Sequence, residues 1–243
     1  MVNKMEDFSE IINWENVEKQ KENYHNSKPF KFAFIEDFFK KDFYDKLYET
    51  YPKIDDSWTP STHMAKNIFM KNWSTTDAGI VQKGDDPSFS KEWNKFKRYA
   101  ESPEFIEHFR KMTNVPVNRL KQFKLMAYRK GGFHVPHIHN DGPSTLIFTL
   151  YFSKGWQKGD PGGTYVCSDV DDVNSIVYEP DNLDNSAILF HDGPHASHGV
   201  RIIKKDVIRQ GLQIYLEEYS EEFGWTAGDD VTTKEERNLV DIS

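Results

Sequence analysis

The alternation of apolar and polar residues divides the chain into a helical first half and a strand-rich second half. From Leu120 the period is two, because Phe123, Leu125 and Ala127 alternate with other side chains, which is typical of a half-buried strand. A continuous apolar run over residues 146–152 predicts a fully buried central strand. Further strands are predicted over residues 30–35, 164–167, 187–190 and 207–216.

Helical signals dominate the first half of the chain. Four helices are predicted, over residues 7–24, over residues 43–51 up to Pro52, after Ser88 or Ser90, and from Ser102-Pro103. The last signal combines a serine that can accept a hydrogen bond at the helix start with a proline in the first turn. Residues 55–86 give few regular signals, so two interpretations stay open for them, a wall of a pocket mouth or a solvated loop.

Many short strands separated by turn signals predict an antiparallel barrel or jelly roll. The expected fold class is therefore mainly β with a helical N-terminal region (α+β). Residues 1–117 form the expected helical support region, residues 118–220 the β core, and residues 221–243 a charged tail. We expect these parts to belong to one structural domain.

The composition excludes several classes of protein. A net charge of −8 over 243 residues argues against binding to nucleic acid or anionic lipid. Cys167 is the single cysteine, so an intrachain disulfide and a thiolate zinc cluster are both excluded. The acidic N-terminal stretch does not predict a secretory signal, and no apolar segment has the length of a membrane span. A cytoplasmic location is the expectation, and the oligomeric state is not readable.

The candidate chemistry lies in His139-Asn140-Asp141, followed more than fifty residues later by His198. Side chains two residues apart share one face of an extended strand, so His139 and Asp141 can reach one metal ion together. His198 can complete the site. Two imidazoles and one carboxylate leave three positions open on non-haem Fe(II), as oxygen activation requires.

Arg209 opens the last predicted strand, where it shares a face with Gly211 and Gln213. An arginine inside a barrel needs an anionic partner, because an unpaired buried charge is costly. The planar guanidinium fork suits a carboxylate. The sequence therefore predicts an anion site near the metal site.

Several motifs occur together in the second half of the chain: Tyr128-x-x-Gly131-x-Phe133, His139-x-Asp141, Gly162-Gly163, Phe190, His198-x-Val200 and Arg209. In this order they resemble the 2-oxoglutarate- and Fe(II)-dependent oxygenases, most closely the prolyl-hydroxylase-like branch. The resemblance covers roughly residues 120–217. It implies a double-stranded β-helix (a jelly roll, similar to the cupins) with iron at its open end.

The resemblance also implies an activity and the roles of five residues. His139, Asp141 and His198 would be the iron ligands, Arg209 would pair with the distal carboxylate of 2-oxoglutarate, and Tyr128 would donate a hydrogen bond to that co-substrate. The implied reaction uses O2 to hydroxylate an unactivated carbon of a small molecule or amino-acid side chain, with release of succinate and CO2. Gly211 departs from the family, which commonly has a hydroxyl-bearing residue there.

Three alternatives stay open. His137 also shares a strand face with His139, so three histidines without a carboxylate, as in cupin dioxygenases, form a second possible ligand set. His195 is the next candidate for the distal histidine. A barrel that binds a metabolite or partner without catalysis is the third alternative, against which the complete triad and Arg209 argue.

Overall fold

The computed structural model describes residues 6–73, 84–139, 142, 144–170 and 172–220 of the chain. The helices in these ranges are α1 (Trp14–Glu18), α2 (Lys21–Asn26), α3 (Lys41–Glu49), α4 (Lys91–Ala100) and α5 (Pro103–Thr113). The start of α5 agrees with its sequence signal, since the Ser102 side chain accepts a hydrogen bond from the Phe105 backbone N–H. Ser90 caps α4 in the same way. None of the helices in the described ranges is long and apolar enough to cross a membrane.

Eleven strands form the sheet in these ranges. They are β1 (Phe32–Ile35), β2 (Thr59–His63), β3 (Lys66–Asn72), β4 (Arg119–Tyr128), β5 (Phe133–His137), β6 (Thr145–Phe152), β7 (Thr164–Cys167), β8 (Ile176–Tyr178), β9 (Asp184–His191), β10 (His198–Val200) and β11 (Arg209–Glu217). Their order is β1-β9-β6-β11-β4-β3-β5-β10-β7-β8, with β2 paired to β3, and every pairing is antiparallel. The prediction of a mainly β, double-stranded β-helix fold is confirmed.

The two faces of this curled sheet have different neighbours. Outward side chains of β4, β6, β9 and β11 join the helices in one large apolar core. Phe148 of β6, for example, meets Phe109 of α5 edge to face with ring centroids 4.6 Å apart, a geometry that adds about 0.5–1.5 kcal/mol to simple burial. The opposite face of β4 and β11 lines a cavity. The helical layer therefore supports the barrel from outside.

The structure differs from the sequence prediction in two elements of the first half. The single helix predicted over residues 7–24 is two short helices, α1 and α2, preceded by a turn over residues 9–11 and by Ile12, which pairs with Phe39 in an isolated bridge. Residues 55–86 include β2 and β3, which join the main sheet through the pairing of β3 with β4 and β5. Three strands thus come from the region before residue 118.

Candidate metal centre

Three histidines, two in neighbouring strands and one just beyond β5, lie together in the barrel. β5 ends at His137, β10 begins at His198, and the two residues are direct partners in the sheet. His139 follows β5 by two residues. The ligating nitrogens of His137, His139 and His198 all lie within 4.8 Å of one another, so one metal ion can contact all three. We call these residues the histidine triad.

Fixed hydrogen bonds turn the triad imidazoles towards a common point. His137 Nδ1 lies 3.0 Å from the Val135 carbonyl oxygen, and His198 Nδ1 lies 2.7 Å from the Ala196 carbonyl oxygen. Because a carbonyl only accepts, we infer that both Nδ1 atoms carry the proton and both Nε2 atoms present a lone pair. This is the usual arrangement for histidines that bind a metal through Nε2.

His139 completes the arrangement. Its Nδ1 lies 2.9 Å from Tyr215 Oη, and its Nε2 lies 3.1 Å from Nε2 of His137. A proton shared between these two Nε2 atoms can satisfy them in the metal-free protein, and a cation satisfies both lone pairs at once. The donor set therefore fits a first-row transition metal, for which imidazole is a common ligand.

Burial keeps the triad imidazoles neutral. Desolvation, helped by the neighbouring histidines, lowers the pKa of His139 to about 3 and that of His198 well below its usual value. Desolvation also lowers the pKa of His137. Neutral imidazole is the form that binds metal, so the three side chains are ready as ligands at physiological pH.

Gly199 explains why a glycine follows the distal histidine. A Cβ atom at this position would lie 2.3 Å from Tyr165 Oη and 2.5 Å from the His134 carbonyl oxygen. Both atoms belong to the strands that flank β10, so any side chain would separate those strands. Glycine thus keeps His198 in register with His137.

Arg209 is fully buried and only partly satisfied by the protein. Its Nε donates to the Gly162 carbonyl oxygen at 3.1 Å, and its Nη2 donates to Thr164 Oγ1 at 3.2 Å. The guanidinium lies 4.9 Å from the centroids of both the Tyr128 and Tyr151 rings. Its Nη1 has no hydrogen-bond partner. Because an uncompensated buried charge is costly, this nitrogen indicates a site for an anion.

Tyr128 lies beside Arg209, since the two residues are direct partners in the sheet. Burial raises the pKa of Tyr128 to about 12, so the phenol stays protonated and can donate a hydrogen bond. Gly211 has no hydroxyl group, but the Thr164 hydroxyl lies beside Arg209 and accepts the hydrogen bond from its Nη2. A Cβ at Gly211 would lie 3.1 Å from Arg209 Nη1.

A cavity of about 270 Å³ joins the triad to Tyr128 and Thr164. Its other lining residues are Lys66, Ile68, Met70, Lys124, Met126, His134, Thr149, Gly199, Val200, Gln213 and Tyr215. The interpretation of residues 55–86 as a wall of the pocket is thus confirmed for β3.

The structure brings together some of the predicted site residues and adds others. His139 meets His198, and His195 is an exposed residue outside the cavity lining. Asp141 lies outside the described residues. Sequence reasoning missed Tyr215. The alternation that places Arg209 and Gln213 on one face of the last strand also places Tyr215 there.

The half-buried histidines of the cavity should make the metal-free protein lose stability as the pH falls below 6.5. Burial lowers the pKa of His134 to about 2 and that of His139 to about 3, from 6.5. Below pH 6.5 the unfolded chain therefore binds protons that the folded chain does not bind. Each such proton lowers the free energy of unfolding by about 1.4 kcal/mol per pH unit. Urea unfolding in a metal chelator at pH 7.5, 6.0 and 5.0 measures this slope.

Two variants test the origin of this slope. His134→Phe removes one of these imidazoles. The change of the unfolding free energy with pH should therefore become smaller by the contribution of about one proton, about 1.4 kcal/mol per pH unit. His195→Phe, which changes an exposed histidine, should leave it unchanged. Equal slopes in the two variants would contradict the prediction.

Solved structures with a similar fold are known. No family model and no curated protein matches the sequence. Among solved structures, a prolyl-4-hydroxylase of Pseudomonas putida matches with a TM-score of 0.62 and 12% identity, over 84% of this chain and 100% of the other. A prolyl hydroxylase of Trichoplax adhaerens, solved with a hypoxia inducible factor peptide, gives 0.56 and 15%, over 84% and 88%.

A third structure, HygX of Streptomyces hygroscopicus with nickel, 2-oxoglutarate and hygromycin B bound, gives a TM-score of 0.53 and 13% identity, over 82% of this chain and 86% of the other. A 2OG-Fe(II) oxygenase family protein of Burkholderia pseudomallei matches similarly, with a TM-score of 0.53 and 12% identity, over 84% and 90%. The chain has the fold of these oxygenases. At the level of the fold, the resemblance to the prolyl-hydroxylase-like branch is confirmed.

Proposed function

We propose that this protein is an Fe(II)- and 2-oxoglutarate-dependent dioxygenase that hydroxylates an unactivated carbon and releases succinate and CO2. The observation that carries the proposal is the unpartnered Nη1 of buried Arg209, whose neighbours Tyr128 and Thr164 line the same cavity as the histidine triad. A metal site alone does not need a buried guanidinium. A metal site that holds a dicarboxylate co-substrate does.

The residues that line the cavity, together with the buried Arg209 beside Tyr128 and Thr164, would each bind a different part of the ligands. Arg209 Nη1 would bind the distal carboxylate of 2-oxoglutarate in a charge-assisted hydrogen bond, and the protonated phenol of Tyr128 would donate to the same group. Ile68, Met70 and Met126 give the cavity apolar walls that limit the access of water. Iron, when bound, supplies the activation of O2 that couples decarboxylation of the co-substrate to hydroxylation.

For the metal itself we propose the histidine triad as the ligand set. Its support is the convergence of the three imidazoles and their hydrogen-bonded Nδ1 atoms. The set with Asp141 in place of His137 remains the alternative prediction. His139 and His198 belong to both sets.

A second candidate is a three-histidine metal dioxygenase that uses no co-substrate. The histidine triad favours it, because cupin dioxygenases have such a site. The unpartnered Nη1 of Arg209 has no role in that reaction. Dependence on 2-oxoglutarate therefore separates the two candidates.

The activity is tested by succinate release from 2-oxoglutarate under air, with Fe(II) and ascorbate present. We expect slow uncoupled turnover without added substrate, its loss on chelation, and its loss in a His139→Ala variant. Oxygen consumption that needs iron but not 2-oxoglutarate would support the three-histidine dioxygenase instead. Absence of iron binding and of any turnover would refute both enzymes.

The substrate is proposed to be a small molecule or an amino-acid side chain. Support comes from proteins of this fold, which include one solved with a peptide and one solved with hygromycin B. A reducing compartment such as the cytoplasm suits an enzyme that needs ferrous iron.

A further inference from the structure

The mouth of the cavity carries positive charge. Lys66 on β3 and Lys124 on β4 both line it, and the described lining residues include no aspartate or glutamate. Lys66 is half-buried, and in the described part of the chain no carboxylate forms an ion pair with it. A half-buried ammonium without a carboxylate partner favours an anion supplied by a ligand.

Lys66 lies close enough to the histidine triad to act on a molecule bound there. It is the direct partner of His134 on β5, the strand that ends at His137. Lys66 also lines the same cavity as His137, His139 and His198. An anion that pairs with Lys66 would therefore sit beside the proposed metal.

The charge balance of the loaded site adds to this argument, which rests on the proposed function. Histidine ligands are neutral, so a divalent iron together with Arg209 carries one positive charge more than dianionic 2-oxoglutarate neutralises. Lys66 increases this excess. In a cavity with apolar walls such an excess attracts anions more strongly than in water.

We propose that the substrate carries a carboxylate or phosphate group that pairs with Lys66 while the carbon to be oxidised faces the histidine triad. Ile68 and Met70 follow Lys66 along the same face of β3 and line the cavity. They offer an apolar surface to the carbon skeleton. The substrate class is therefore a small organic anion.

Paired compounds test the class directly. Carboxylic acids are compared with their primary amides, and sugar phosphates with the free sugars, for stimulation of succinate release. We expect stimulation by the anionic member of a pair and at least about tenfold less by the neutral one. Lys66→Met should raise the KM of a stimulating anion about tenfold and leave kcat within about twofold.

Lys71→Met is the matched control. Lys71 is on the same strand, but its Nζ donates to Ser57 Oγ at 2.6 Å and it does not line the cavity. This variant should keep the wild-type KM. Neutral compounds that stimulate as well as their anionic partners, or equal KM values in both variants, would overturn the proposal while the oxygenase activity stands.

A binding measurement makes the test independent of turnover. Saturation transfer to acetate and ³¹P line broadening of inorganic phosphate are measured on the Zn(II)- and 2-oxoglutarate-loaded protein and on the metal-free protein. At least one anion should bind the wild type and Lys71→Met, and bind Lys66→Met about tenfold more weakly. The anion that binds identifies the group. Binding of neither anion, or binding unchanged in Lys66→Met, would overturn the proposal. Anion binding at Lys66 in a protein that takes up no metal would instead refute only the proposed oxygenase.

Discussion

A His139→Ala variant should lose Fe(II) affinity by at least about a hundredfold. Structural zinc sites with four ligands bind with about 10–16 kcal/mol, so one ligand of such a site contributes about 3 kcal/mol, or about two orders of magnitude in Kd. His139 is central, because it contacts both His137 and Tyr215. Anaerobic titration with Fe(II), or with Co(II) as a spectroscopic substitute, measures the loss.

The same titration decides the third ligand. With the histidine triad as the ligand set, His137→Ala should weaken metal binding as much as His139→Ala, and Asp141→Ala should bind nearly as well as the wild type. His195→Ala, which changes an exposed histidine, serves as the control for the loss of an imidazole. Strong binding by His137→Ala together with weak binding by Asp141→Ala would establish the carboxylate set instead.

An Arg209→Met variant should raise the Kd for 2-oxoglutarate by at least about a hundredfold and leave metal affinity unchanged. Loss of one partner from a buried charge pair costs about 2–5 kcal/mol, and about 2.7 kcal/mol corresponds to a hundredfold. Methionine fills a similar volume without a charge, so the fold should persist. Calorimetry on the Zn(II)-loaded protein under nitrogen measures both affinities.

Two further arginine variants keep this prediction specific. Arg209→Lys retains the charge but loses the planar fork, so it should show an intermediate loss. Arg129→Met changes an exposed arginine directly after Tyr128, and it should bind 2-oxoglutarate like the wild type. Unchanged 2-oxoglutarate binding in Arg209→Met would remove the main support for the proposed function.

The central strands of the β core could be predicted from the sequence because most of their residues are buried. Every residue of β6 is buried, and buried residues form the majority in β4 and β11. β3 was not predicted, because only one of its residues, Ile68, is buried and the others are partly or fully exposed. The prediction of one helix over residues 7–24 was wrong at its start because a tertiary contact, the pairing of Ile12 with Phe39, takes Ile12 out of the helix.

Part of the candidate site could be predicted, because its residues lie in or next to strands. Arg209 lies in the strand predicted over residues 207–216, His198 begins β10, and His139 follows β5 by two residues. Their convergence therefore follows from the fold. The choice of third ligand did not follow, because the argument assumed one extended strand through residues 137–141. β5 ends at His137, and beyond that point alternation no longer determines which way a side chain points.

The two faces of β11 contribute to two different parts of the molecule, the core and the cavity. Leu212, Ile214 and Leu216 belong to the core shared with the helices, whereas Gln213 and Tyr215 face the cavity. On β3, Ile68 and its neighbour Met70 form part of a small separate cluster. A substitution of the partly exposed Gln213 therefore changes the wall of the cavity with little loss of packing, whereas one at Leu212, Ile214 or Leu216 acts on the core that the barrel shares with the helices.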